Sequence, residues 1–359
     1  MKIIFLHITQ NYSGVEKRFF HYYQYLSTLS DNEYTFVCSK TFLKRHNLSL
    51  SAFNKHKIIE YGIEWRNVSK IRRYIDYLCL LLVLLKLSVK KYDAAHFPTT
   101  GSRIFMRLIR AKSKSTSVVN SIKSCLDKEI SSPIFIKCLK AGVLVDCLDR
   151  NICSFIASKY PSYSKQLFVS PCSFVSYKGC CDKLLNKEHA IAFVGRLIEY
   201  KGIDMLISQL QNILNKTTFK IYILGRGPYA SKIDDFKRKY DNNNRIYFDF
   251  VLNPIRILEK AQVFLSLQSE ENYPSQSLLE AMMAQNTIIA TNVGLTSTLV
   301  KTQFGFLIND GSELLDRLVF LEEHPEIIME MGKKAKEFAE SNHRVEIYHN
   351  YLISLYSPK

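Results

Sequence analysis

The chain has 359 residues, 47% of them apolar and 23% charged, an ordinary balance for a folded protein of two domains rather than one. Its net charge of +16 is confined to one half: residues 1–185 carry 29 basic and 12 acidic side chains, and residues 186–359 carry 20 and 21. The first half is therefore fitted to an anionic partner, whether nucleic acid, anionic lipid or a phosphorylated substrate.

Met1 to Leu6 runs directly into polar residues after His7, so the sequence predicts no export signal and a cytoplasmic location. The nine cysteines lack zinc-ligand spacing and read as reduced thiols. Lys2–His7 is a buried strand, Ser13-Gly14 a loop, and Glu16 to Leu26 a helix. Tyr34–Cys38 is a second strand. Residues 71–89 form an apolar stretch flanked by Arg72, Arg73, Lys86, Lys90 and Lys91. Its uninterrupted core, Leu78 to Leu85, is too short to cross a bilayer, which takes about 20 residues. Two readings stay open: a helix buried against the sheet, or one lying on a membrane with its cations among the headgroups.

Asp93 to Phe97 is a short strand ending at His96. Val143–Val145 and Gln166–Ser170 are further strands. Lys178 to Glu188 is polar and without period, which suggests a linker. The apolar pattern restarts at Ala190. Strands at Ile221–Leu224, Ile246–Phe248, Val263–Leu267 and Thr287–Ala290 then alternate with helical runs. Such alternation predicts an α/β protein of two doubly wound parallel-sheet, Rossmann-like domains. The boundaries read as 1–182, a linker 183–189, 190–340, and a C-terminal helix 341–359 returning to the first domain.

The restart carries the chemistry. Phe193-Val194-Gly195-Arg196 is followed by Lys201-Gly202. A strand ends in glycine at the edge where open α/β sheets bind ligands. Arginine offers a bidentate fork and lysine a point charge, a pair suited to a diphosphate. Leu224-Gly225-Arg226-Gly227-Pro228 repeats the strand-to-glycine turn, without the GxGxxG spacing of a nicotinamide site. Next comes Ser269-Glu270-Glu271-Asn272-Tyr273-Pro274-Ser275, a loop leading into an apolar helix. Ser275 or Ser277 is its cap, and its free N–H groups face an anion. Glu280, about one and a half turns in, can accept from both ribose hydroxyls. Arg196, Lys201, the helix start and Glu280 describe one ligand, a nucleoside diphosphate bearing a sugar.

These runs, FVGRLIEYKG, LGRGP and SEENYPSQSLLEAMMAQNTIIATNVG, resemble the donor domain of the family-four, GT-B-fold glycosyltransferases ("glycosyl transferases group 1") across roughly residues 190–310. The resemblance implies two Rossmann-like domains facing across a cleft. It also implies a retaining hexosyltransferase of class EC 2.4, acting in surface polysaccharide synthesis such as capsule or lipopolysaccharide. Gly195, Arg196, Lys201, Gly225, Gly227, Tyr273, Pro274, Ser275 and Glu280 become candidate donor-binding residues. The family's paired glutamates are eight positions apart; Glu280 matches the second, and Asn272 stands where the first is expected, with Glu271 beside it. Both stay open as the residue facing the sugar.

Ser13-Gly14-Val15-Glu16 resembles the acceptor domain's Gly-Gly-Ala-Glu loop, which makes Gly14 a candidate donor contact. Asp93-Ala94-Ala95-His96 falls at a strand ending in histidine, which makes His96 a candidate catalytic residue beside Glu271 and Asn272. The chain departs from the family pattern at Pro98, at Gln285 in place of glycine, and at residues 168–174. There is no Asp-x-Asp motif, and with Arg196 and Lys201 to neutralise the diphosphate no metal and no cofactor is expected. The expected partners are a nucleotide sugar, a glycan or polyprenyl-diphosphate-linked acceptor, and an anionic membrane surface along the basic half. Nucleic acid is not expected, since no reading helix or aromatic-basic ladder is present. Two alternatives remain: a nucleotide-sugar epimerase of the same fold, and a non-catalytic relative serving as a scaffold.

Overall fold

A computed structural model describes residues 1–9, 14–45, 57–63, 70–175, 187–251, 253–271 and 273–357. The chain forms two units, Met1–Ser176 with Val345–Lys359, and Tyr177–Arg344. Each is built on one parallel sheet with helical crossovers.

The first sheet has seven strands: β1 (Lys2–Leu6), β2 (Glu33–Ser39), β3 (Lys57–Tyr61), β4 (Lys91–Phe97), β5 (Arg110–Val118), β6 (Leu144–Cys147) and β7 (Leu167–Val169). Their order is β3-β2-β1-β4-β5-β6-β7. Alternation along β1 assigns the two faces. Ile3 and Phe5 pack with the helices Gly14–Leu26 and Val345–Tyr356. Ile4 and Leu6 pack with Leu80, Leu84 and Leu87 of the helix Lys70–Ser88.

The second sheet has six strands: β8 (Glu188–Val194), β9 (Lys220–Leu224), β10 (Ile246–Asp249), β11 (Ala261–Ser266), β12 (Thr287–Thr291) and β13 (Gly305–Ile308). Their order is β10-β9-β8-β11-β12-β13. The direction of winding reverses between β8 and β11, which are hydrogen-bonded neighbours. Ligands of doubly wound sheets sit beyond the strand ends at such a reversal.

Several expectations need correction. Of the linker 183–189, residues 183–186 lie outside the described residues, and the remainder is part of the second unit. The Lys187 ammonium donates to the Leu258 and Ala261 carbonyls, and burial brings its pKa down to about 7. Glu188 starts β8 and accepts from Tyr222 and Lys220. These polar partners do what apolar packing does elsewhere, so the sequence pattern concealed the strand's start. At the other end, one helix runs Pro325–Asn342, and the last helix begins at Val345 rather than 341.

β3, β5 and β13 were not expected from the sequence. The stretch 71–89 does form a helix, but only one stripe of it is buried.

Candidate functional site

The site begins where β8 ends. Gly195 N–H donates to the Leu224 carbonyl and Leu197 N–H to that of Arg226, which ties the loops after β8 and β9 together. Gly225 N–H donates to Asp249 at the end of β10. The loop after β8 then closes through a short 3-10 turn, Glu199–Lys201, into the helix Ile203–Lys216.

Gly202 makes that closure possible. It has φ +75°, and a Cβ there would lie 1.7 Å from the Leu267 carbonyl oxygen. The backbone of the β8 loop therefore presses on the end of β11 at the reversal of strand order. Ser269 N–H donates to the Tyr200 carbonyl, a second tie between the same loops.

Both candidate cations are carried on this closed loop. Arg196 is exposed; its guanidinium lies 5.3 Å from the Tyr200 ring and donates to the Tyr200 hydroxyl. Lys201 is largely screened from water, and its ammonium donates to the Gln268 amide oxygen at 2.9 Å. Among the described residues neither cation has a carboxylate partner. Burial first, then the charge of Arg196, lowers the Lys201 pKa to about 8. Two neighbouring cations without an acid are costly for an empty protein and favourable for a bound polyanion.

The third element is the loop after β11. Gln268, which holds Lys201, is itself fixed: its carbonyl accepts from Thr291 Oγ1 and its amide donates to Ser266 Oγ. Ser275 occupies the N-cap of the helix Gln276–Met283, yet its hydroxyl pairs with that of Ser277 and does not cap the backbone. Glu280 lies in this helix and is buried. Tyr273 is half-buried and Pro274 buried.

The two candidates for the residue facing a sugar fare differently. Asn272 lies outside the described residues. Glu271 turns toward the loop after β12, where its Oε1 accepts from Leu295 N–H at 3.2 Å. Gly294 admits it: φ there is +56°, and a Cβ would fall 2.5 Å from the Glu271 carboxyl carbon.

In the first unit, Gly14 is the first residue of the helix Gly14–Leu26, and Ser13 lies outside the described residues. His96 does not match its expected catalytic role. It is fully buried, with Nδ1 2.7 Å from Ser115 Oγ and 3.1 Å from the Tyr356 hydroxyl, and Nε2 3.0 Å from Ser117 Oγ. Burial lowers its pKa to about 4. A neutral ring with both nitrogens bonded inside the core has no edge to offer a substrate; the strand-end position misled because His96 points along the sheet face rather than out of its end.

Sequence reasoning missed Gln268, Tyr200 and the role of Gly202. Gly202 stands directly after Lys201 in the matching run, and that adjacency was the available signal. Gln268 carries no sequence signal, because its role depends on where β8 and β11 meet.

Residues 182–338 match the family described as Glycosyl transferases group 1. This part of the chain is similar to a group 1 glycosyltransferase domain. The capsular polysaccharide biosynthesis glycosyltransferase CapM of Staphylococcus aureus is 30% identical over 164 residues, 43% of this chain and 43% of that protein. The chain thus aligns with less than half the length of this curated relative. Among solved structures, TarM is similar over 99% of both chains, with 13% identity and a TM-score of 0.74. A structure of Anabaena Alr3699/HepE in complex with UDP is similar over 99% of both chains, with 13% identity and a TM-score of 0.71. At that identity the likeness is one of fold, and the fold is GT-B.

One departure of the second unit from the pattern it resembles has a measurable cost. Gln285 follows the helix Gln276–Met283 and its C-cap Ala284, with φ +58°. A side chain in that conformation costs about 1–2 kcal/mol, part of which glycine repays in lost chain entropy. Gln285→Gly is expected to stabilise the protein by about 0.5–1 kcal/mol. An unchanged or lower urea midpoint would show that the Gln285 side chain contributes more than its backbone costs.

Proposed function

We propose that the protein transfers a sugar from a uridine diphosphate sugar to a hydroxyl of a glycan or lipid-linked acceptor in surface polysaccharide assembly, at the inner face of the cell membrane and with retention at the anomeric carbon. The observation that carries this reading is Lys201: a screened ammonium beside Arg196, held by a neutral amide at the reversal between β8 and β11. The UDP bound by Alr3699/HepE supports uridine as the base. The capsular role in the name of CapM supports the pathway, and the basic first half supports a phosphate-bearing acceptor.

In this reading the bond from the anomeric carbon to the diphosphate oxygen breaks as the acceptor oxygen bonds to that carbon, and the acceptor's hydroxyl proton passes to the departing diphosphate oxygen. Arg196, Lys201 and the N-terminus of the helix Gln276–Met283 stabilise the charge that gathers on the departing diphosphate. Glu280 holds the ribose, and Glu271 or Asn272 faces the sugar. These fixed charges take the part that a divalent ion plays in metal-dependent transferases, so turnover continues in EDTA.

The test is UDP release from a panel of UDP-sugars, with and without a polyprenyl-diphosphate-linked glycan. Acceptor-dependent release is expected. Conversion of the donor alone would favour an epimerase, and failure to bind any nucleotide would favour a scaffold. Among variants, Glu280→Gln is expected to weaken binding of UDP itself, whereas Glu271→Gln spares UDP binding and slows transfer. The reverse pattern would exchange their roles.

A further inference from the structure

The helix Lys70–Ser88 leaves a face uncovered that helices of folded domains normally bury. Leu80, Leu84 and Leu87 sit in the core of the first unit. Opposite them, Leu78, Leu82 and Leu85 are 60%, 55% and 52% exposed, and Ile71, Tyr74 and, just past the helix, Val89 are more exposed still. At 3.6 residues per turn, the five within the helix fall in an arc of about 80°, and the stripe from 71 to 89 runs about 27 Å. An exposed apolar strip of this continuity marks a contact surface rather than scattered surface residues.

The charge beside the strip selects the occupant. Between residues 70 and 91 the sequence holds six cations, Lys70, Arg72, Arg73, Lys86, Lys90 and Lys91, and a single acid, Asp76. Asp76 is turned inward, where its carboxylate accepts from Ile63 N–H at 3.1 Å. Lys86, Lys90 and Lys91 are exposed at the C-terminal end of the helix. Lys90 lies against Lys57, whose proximity lowers its pKa. Cations crowded at the end of an apolar strip match a surface that is apolar below and anionic above. Among the described residues no helix is long and apolar enough to cross a membrane, so this one would lie in the interface.

We propose that the exposed face of the helix Lys70–Ser88 docks the protein on an anionic lipid bilayer, its leucines in the acyl boundary and its lysines among the headgroups. The proposal deepens the reading of a lipid-linked acceptor by naming the surface that meets the lipid. Its test uses neither donor nor acceptor, so its failure and that of the transferase reading are separate results.

The experiment is cosedimentation of the full chain with vesicles of phosphatidylcholine alone and of phosphatidylcholine with phosphatidylglycerol, at 0.05 M and 0.5 M salt. Binding to the anionic vesicles is expected to exceed binding to the neutral ones at least tenfold and to fall several-fold in high salt. Leu78→Gln with Leu82→Gln is expected to reduce binding at least tenfold while near-ultraviolet circular dichroism stays unchanged, because both side chains lie outside the core. Lys86→Glu with Lys90→Glu is expected to remove the preference for anionic vesicles. Vesicle binding that the leucine pair leaves unaltered would overturn the proposal. So would a wild-type chain that ignores vesicles but sediments as a dimer, with the leucine pair monomeric; the strip would then be an interface between copies.

Discussion

Lys201→Ala is expected to weaken UDP binding by more than tenfold, and Arg196→Ala by about tenfold. Hydrogen bonds that involve charge are worth about 1.5–3 kcal/mol, or about one to two decades in affinity. Lys201 is given the larger effect because it is screened from water and fixed by Gln268, whereas Arg196 is exposed. The lysine also has a signature that a structural residue would lack. Its pKa is about 8 in the unliganded protein, and a bound diphosphate raises it by favouring the ammonium. Below pH 8 the ammonium is present already and affinity is flat in this group. Above pH 8 the protein must take up a proton to bind, so affinity falls about tenfold per pH unit until the pKa of the bound state is reached. Lys201→Arg keeps its charge throughout this range, and its affinity is expected to lose that slope. Titration calorimetry with UDP from pH 6.5 to 9.5 makes the measurement. Equal slopes for wild type and Lys201→Arg, or an unaltered affinity in Lys201→Ala, would remove Lys201 from the diphosphate site.

Most of the second unit was readable in the sequence because its strands are apolar. β8 and β9 run into Gly195 and Gly225, with Arg196, Lys201 and Arg226 close behind, and β11 announces itself as VFLS before the acidic loop. The first unit hid more. β5 reads Arg-Ala-Lys-Ser-Lys-Ser-Thr-Ser-Val, with no apolar run and no clear alternation, yet it is a central strand between β4 and β6. Its polar residues are satisfied in ways that sequence spacing does not reveal. Thr116 Oγ1 accepts from Arg103 Nε and donates to the Phe97 carbonyl, and the Arg103 guanidinium is itself paired with Glu129 at 2.6 Å. Ser115 and Ser117 bond to His96. The same circumstance explains the His96 error: a histidine among hidden serines is structural, but the serines were not recognised as neighbours because β5 was not recognised as a strand. The helix of 71–89 shows the opposite limit. Its composition was plain, but which leucines face the core depends on where the helix rests on the sheet.

The hydroxyls of β5 belong to a buried network whose centre is Asp146, and that network carries the largest expected effect on stability. Asp146 lies on β6 with almost no exposure. Ser117 and Tyr348 donate to its Oδ2 at 2.8 and 3.0 Å, and Ser170 and Tyr351 to its Oδ1 at 2.7 and 3.0 Å. Two of these donors come from the last helix, Val345–Tyr356, so a strand near the middle of the chain fixes its C-terminal end. Burial pushes the Tyr348 and Tyr351 hydroxyls well above the usual phenol range, which keeps them protonated as donors. Asp146→Ala would leave three buried hydroxyls and the part-buried one of Tyr351 facing a void. Removing one member of a buried charged network costs about 3–5 kcal/mol. Tyr351→Phe deletes a single part-buried donor and is expected to cost about 1 kcal/mol. Asp146→Asn should fall between them, because the hydroxyls can rotate to meet an amide. Urea unfolding gives the three energies, and proteolysis within residues 345–357 reports whether the helix has undocked. An Asp146→Ala variant that loses no more stability than Tyr351→Phe, with its last helix still protected, would mean that apolar packing of Tyr348 and Leu352 holds the helix and that the carboxylate merely fills the space beneath it.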